Sequence, residues 1–166
     1  MSAPHRIVPL AEEHVAGIHR CFDEVARERL YLAMLEAPPL EQSREFLLGQ
    51  IRGNAPHFVA FVGDLVVGWC DVVAKPRETL AHSGTLGMGV LPAHRGRGIG
   101  KALMEATLAG ARNRGFTRIE LTVRVDNTRA MRLYERVGFK REGTCVRHMR
   151  IDGKYYDSHL MAILFE

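Results

Sequence analysis

No stretch of this sequence is apolar for long enough to cross a bilayer. Runs such as Phe58 to Val62 hold a handful of residues where about 20 are needed. The opening Met-Ser-Ala-Pro-His-Arg has no apolar signal core, so no membrane partner and a cytoplasmic location are expected. Cysteine is scarce: Cys21, Cys70 and Cys145 are odd in number and widely scattered, which points to neither a disulfide framework nor a metal site. Two familiar phosphate loops are missing as well. A Rossmann fingerprint needs G-x-G-x-x-G, but the third glycine arrives one place early, as Gly96-x-Gly98-x-Gly100. A Walker loop fails because Arg95 stands where its first glycine belongs and Ala102 where its hydroxyl belongs. Aromatics are not interleaved with arginines as in RNA-binding motifs, so no nucleic-acid partner is expected.

What is present suits one domain spanning residues 1–166, with 46% hydrophobic residues for a single core. A net charge of +4 favours an anionic ligand without naming it. The organising stretch is Leu91 to Met104. An extended segment ends at Pro92, glycines follow at 96, 98 and 100, and a helical pattern starts at Ile99. A glycine-rich turn at a helix start leaves N–H groups free at the positive end of the dipole, which is a seat for a phosphate. Arg95, Arg97 and Lys101 add positive charge beside it.

Along the chain, residues 5–10 read as a strand and 11–29 as a helix with Val15, Ile18, Phe22 and Val25 on one face. A proline-closed connection over 31–39 leads to a second helix over 40–52. Residues 58–62 and 65–73 form a hairpin around Gly63-Asp64, and 81–91 a further strand. Gly84, Gly87 and Gly89 weaken that strand, either as a loosened edge or because a ligand approaches its backbone; the second reading is adopted. A helix from Ile99 to about Arg114 and a strand over 118–124 complete a βαβ crossover, so those two strands are expected to be parallel. A capped helix begins at Asp126-Asn127, and 139–165 close the chain as a long hairpin.

Arg95-x-x-Gly98-x-Gly100, followed by Asn127-x-x-Ala130-x-x-Leu133-Tyr134-x-x-x-Gly138-Phe139, closely resembles the GNAT superfamily of acetyl-CoA-dependent N-acetyltransferases. The similarity of element order runs from about Ile7 to Phe165. It implies an α/β (α+β) fold: a mostly antiparallel sheet, flanked by about four helices, whose parallel fourth and fifth strands splay to admit the pantetheine arm. By motif position, the backbone of Met88, Gly89 and Val90 would bind the acetyl and pantetheine groups. Arg95, Gly96, Arg97, Gly98, Ile99, Gly100 and Lys101 would hold the pyrophosphate, and Asn127 would contact the arm, cap its helix, or both.

On this resemblance acetyl-CoA is the cosubstrate, no metal is needed, and the acceptor is a primary amine of a small molecule such as an amino acid, or of a peptide or protein. Tyr134 would protonate the departing thiolate, with a core aromatic as its alternative role. A strand N–H freed by a bulge near Val90 would meet the developing oxyanion. Relatives that acetylate ribosomal-protein N-termini carry a glutamate five residues before the asparagine; here that position is Thr122. Glu120, on the same strand face, is the first candidate base, against an ordinary ion-paired role; His82, His148 and Asp157 follow. The acceptor pocket is expected from the 31–40 connection, the start of the fourth strand and the final hairpin around Tyr155, Tyr156 and Asp157. A non-catalytic acyl-CoA-binding or sensor domain is the alternative function, and the resemblance leaves room for a homodimer.

Overall fold

A ladder of seven strands carries every other element. The computed structural model describes residues 4–166. Its elements run β1 (His5–Pro9), α1 (Val15–Arg27), α2 (Leu40–Arg52), β2 (His57–Val62), β3 (Leu65–Ala74), β4 (Ser83–Val90), α3 (Ile99–Asn113), β5 (Arg118–Arg124), α4 (Thr128–Arg136), β6 (Lys140–Ile151) and β7 (Lys154–Leu164). The sheet order is β1-β2-β3-β4-β5-β7-β6. All neighbours are antiparallel except β4 and β5, which run parallel because the helical crossover through α3 joins them. This is the mixed fold with four helices that the resemblance implies.

The first helix is shorter than its periodicity predicts. Ala11 N–H donates to His14 Nδ1 at 3.0 Å and stabilises a 3-10 turn over Glu12–His14, so the α-helix begins only at Val15. From there Val15, Ile18, Cys21 and Val25 enter the core at helical spacing. On the opposite side of the sheet Leu103 and Met104 of α3 are fully buried, and truncating either to alanine would cost about 2–5 kcal/mol.

The pleat sorts side chains to two faces. Trp69 and Asp71 of β3 pair with Gly89 and Gly87 of β4 on the face that carries α1 and α2: Phe22 packs on Trp69 at 5.2 Å between ring centroids, and Gln50 of α2 bonds Asp71. Cys70 and Met88 pair on the opposite face, towards α3 and α4.

This register corrects the reading of the β4 glycines. A Cβ at Gly84 would lie 2.4 Å from Val72 Cγ1, and one at Gly89 would lie 2.3 Å from the Trp69 ring. Gly84 and Gly89 make room for cross-strand side chains, which is reason enough for a bare Cα at both.

Only three residue pairs join β4 to β5: Ser83 with Arg118, Gly84 with Ile119 and Thr85 with Glu120. Beyond them β4 stays with β3 as far as Val90, while β5 stays with β7 as far as Arg124. Beyond Thr85 and Glu120 the two strands part.

Candidate active site

The divergence of β4 and β5 leads into a cavity of about 670 Å³. Met88, Gly89 and Val90 supply the β4 wall. Leu91 N–H donates to Val67 of β3, so by strand alternation the main-chain groups of Met88 and Val90 turn away from β3, towards the opening. The β3–β4 register has no shift. The bulge expected near Val90 is therefore absent, and the free edge exists because β5 moves away.

The floor is the glycine loop. Gly96 and Gly98 have φ of +76° and +81°, a left-handed backbone that other residues adopt at a cost. Gly98 is the N-cap of α3 and offers no side-chain cap, so the N–H groups of Ile99, Gly100 and Lys101 have no partner within the helix. A Cβ at Gly98 would meet nothing within 4 Å. Open space, directed donors and the helix dipole together make this a fitting seat for a pyrophosphate. Gly96, Gly98, Ile99, Gly100 and Lys101 all border the cavity, whereas Arg97 does not.

Arg95 has a different task from the one its charge suggests. Its Nη1 and Nη2 donate to the Glu28 carboxylate at 3.0 and 2.6 Å, and its Nε donates to Val90 O at 2.9 Å. The guanidinium thus pins the end of β4 to the residue after α1, and its charge is already matched.

The positive charge that the sequence reading assigned to the loop comes largely from α4 instead. Arg129, Arg132 and Arg136 border the cavity, and none forms a salt bridge among the described residues. A Cβ at Gly96 would fall 2.7 Å from Arg129 Nη2, so this side chain reaches across onto the loop. Their i, i+3, i+7 spacing was the available signal. Asn127 also borders the cavity, and its Oδ1 accepts from Ala130 N–H at 3.2 Å; the helix cap is real, and Nδ2 has no hydrogen-bond partner among the described residues.

Tyr134 lines the cavity from α4, its ring tilted on Phe139 at 6.0 Å. Burial pushes its phenol well above the usual range, and the nearby Cys70 adds to this, so the hydroxyl keeps its proton at neutral pH.

Glu120 is placed differently from the sequence reading. It does not border the cavity, and its carboxylate receives Lys75 Nζ at 2.5 Å and Arg118 Nη2 at 3.1 Å. The hydrogen bond from Lys75, then that from Arg118, hold it below the usual carboxylate range despite partial burial. Such a group grips its cations and is a poor proton acceptor. Asp157 accepts Arg147 N–H at 2.7 Å, and His148 Nδ1 is 3.0 Å from Ser158 Oγ; both serve the terminal hairpin. His82 offers its main-chain carbonyl to Thr117 N–H.

The connection after α1 is held by arginines in succession. After Glu28 with Arg95 comes Arg29, bonded to Asp152 in the β6–β7 turn at 2.6 Å. Then Leu30 O accepts from Arg124, which also grips Asp126 through two bonds. The Arg124 guanidinium, nearly inaccessible at 6% exposure, lies 3.7 Å from the Tyr156 ring centroid and 5.2 Å from that of Tyr31. Of the 31–40 connection only Tyr31 and Leu32 border the cavity, with Leu30 before them; Tyr155, Tyr156 and Asp157 of the final hairpin do not.

Comparison with known proteins agrees with this geometry. Residues 14–139 match the family model described as the Acetyltransferase (GNAT) family. The L-amino acid N-acetyltransferase AaaT of Escherichia coli is 31% identical over 139 residues, 82% of this chain and 85% of that protein. The N-alpha-acetyltransferase RimI of Mycobacterium tuberculosis is 38% identical over 143 residues, 83% of this chain and 82% of its own length. Among solved structures, a GNAT-family acetyltransferase from Streptococcus pneumoniae superposes with a TM-score of 0.91 at 26% identity, covering 98% of this chain and 100% of that one. A phosphinothricin acetyltransferase from Sinorhizobium meliloti, solved in complex with AcCoA, shares the fold with a TM-score of 0.90 at 18% identity, covering 99% and 89%. Matched by the family model over most of its length and by relatives at 31% and 38% identity, with the splayed strands and uncapped glycine loop in place, the chain belongs to the GNAT family of acetyl-CoA-dependent acetyltransferases.

Proposed function

We propose that this protein transfers the acetyl group of acetyl-CoA directly to a primary α-amine, that of an amino acid or a peptide N-terminus, in the cytoplasm. The observation that carries the reading is the arrangement around one opening. The uncapped start of α3, the outward-facing main chain of Met88 and Val90, and the neutral phenol of Tyr134 all border it.

Acetyl-CoA supplies an activated thioester. The amides of Gly98 to Lys101, with Arg129 and Arg132 above them, would hold the diphosphate, and the β4 edge would align the arm along the splay. The N–H of Val90 is suited to meet the carbonyl oxygen as it gains charge, since only its carbonyl is taken by Arg95. Tyr134 would hand its proton to the departing sulfur and recover one from the new amide nitrogen. No covalent bond to the protein is required.

The acceptor class rests on the names of the relatives, an L-amino acid N-acetyltransferase and an N-alpha-acetyltransferase, and on the small opening beside Tyr31. Incubating the protein with acetyl-CoA and a panel of L-amino acids and tripeptides, while following CoA release, tests it. Turnover with members of the panel is expected. Tight coenzyme binding with no release from any amine would favour a sensor domain instead.

A further inference from the structure

Asp71 is hard to explain as packing. It sits on β3 between Cys70 and Val72, at 8% exposure, in a strand whose buried residues are otherwise apolar or glycine. A hydrophobic residue there would avoid the cost of burying a carboxylate. The carboxylate is nevertheless carefully supported. Gln50 of α2 donates Nε2 to Asp71 Oδ2 at 2.9 Å, and Gln50 Oε1 lies 2.6 Å from Nδ1 of the buried His57. Its other oxygen faces β4: a Cβ at Gly87 would stand only 3.2 Å from Asp71 Oδ1. Gly87 is exposed and directly precedes Met88, where the cavity wall begins, so Oδ1 lies one residue along β4 from that wall, on the α1–α2 face, without itself bordering the cavity.

Resting on the acetyltransferase reading above, we propose that Asp71 is the proton acceptor for the incoming amine, with Gln50 and His57 as its positioning residues. The ammonium loses one proton to the Asp71 carboxylate and the freed nitrogen attacks the thioester carbonyl. The C–S bond breaks, sulfur takes the Tyr134 proton, and Tyr134 regains one from the nitrogen. Asp71 then releases its proton to water, so acetyl-CoA and an ammonium give amide, CoA thiol and one proton. Acid and base stand on opposite faces of β4, Tyr134 with α4 and Asp71 with α2, and neither blocks the other's approach.

The surroundings suit the task. Burial raises the Asp71 carboxyl to about 6, partly offset by the Gln50 hydrogen bond. α2 brings Gln50, β2 brings His57 with His14 behind it, and β4 brings Gly87. Further along the face Lys75 and Glu120 are bonded to each other. On the other side of β3 the Cys70 thiol is kept neutral by burial.

The test is the pH dependence of kcat/KM for Asp71→Asn and Gly87→Ala, with the amine that gives the fastest CoA release and with coenzyme affinity measured by calorimetry. If Asp71 takes the proton, wild type falls below pH about 6 and is flat above it up to the amine's own pKa. Asp71→Asn then turns over only free amine: roughly 100-fold slower at pH 7, but within about threefold of wild type near pH 9.5, with coenzyme affinity unchanged. Alkaline rescue is what a merely structural role would not give. Gly87→Ala keeps the carboxylate but crowds it, and is expected to lose roughly 10-fold in kcat at pH 7 with the same rescue. An Asp71→Asn profile parallel to wild type, or a uniform loss at all pH values in either variant, overturns the proposal alone. Wild type that binds coenzyme without releasing CoA from any amine overturns the acetyltransferase reading and this proposal together.

Discussion

The two faces of β4 are built on different principles. Towards α3 and α4, the work is done by main-chain groups: uncapped amides at the start of a helix, a strand edge freed by divergence, and two glycines in left-handed conformation. Towards α1 and α2, it is done by side chains that reach across long stretches of sequence, as Arg124 reaches the Leu30 carbonyl and Gln50 reaches the Asp71 carboxylate. The first kind of site tolerates few residue types at each position, because backbone must be bare or bent. The second kind can be assembled from many residue types, provided the partners meet. On the proposed function, a coenzyme common to the family would sit on the first and an acceptor that differs between members would meet the second.

The sharpest break of this contrast is Gly98→Glu. It places a carboxylate in the empty space over the anion seat and strains a backbone at φ +81°. Acetyl-CoA affinity by calorimetry is expected to fall by more than about 100-fold, a loss of roughly 3 kcal/mol. Unchanged affinity would remove the loop from the coenzyme site. Tyr134→Phe comes next, with kcat lower by about 100-fold and coenzyme affinity within about threefold, read by steady-state kinetics beside calorimetry. Equal losses in both would assign Tyr134 to binding instead.

Arg124→Met should separate the faces. It frees Leu30 and the Tyr31 ring, so the acceptor KM is expected to rise about 10-fold while coenzyme affinity holds. Arg132→Ala should do the reverse, weakening coenzyme by about threefold, with the difference shrinking as salt is raised.

These expectations also mark what could be read in advance. The loop, the cap at Asn127 and Tyr134 were legible because helix starts and main-chain seats require particular residues at particular spacings. The β4 glycines were visible, but their steric role was not. Their reason, the Trp69 ring and Val72 across the ladder, depends on a register that no local pattern carries. Glu120 was attractive by face, yet its pairing with Lys75 from the end of a different strand withdraws it. Asp71 had a signal that went unused: a lone acid inside the apolar run from Val66 to Val73.

The smallest effect is one of pH and stability. Asp71 is raised from 3.8 to about 6, so its contribution is fully present below pH about 4 and lost as pH rises through 6. His57 is lowered from 6.5 to about 4, so its contribution is present above 6.5 and lost as pH falls through 4. Between those limits the two slopes oppose and wild-type stability is expected to be nearly flat. Asp71→Asn leaves only the histidine, and unfolding in urea at stepped pH should show stability rising with pH by up to about 1.4 kcal/mol per unit between pH 4 and 6.5. A flat profile in the variant would mean that the two groups do not share one buried environment.

The brevity of the β4–β5 junction has a mechanical consequence. With three residue pairs as its weld, the sheet is a four-stranded leaf and a three-stranded leaf, and a thioester arm laid along the seam would suture them. Amide deuteration at Met88 and Val90 should therefore slow more than anywhere else in the strands when coenzyme is added, making the seam itself a reporter of occupancy.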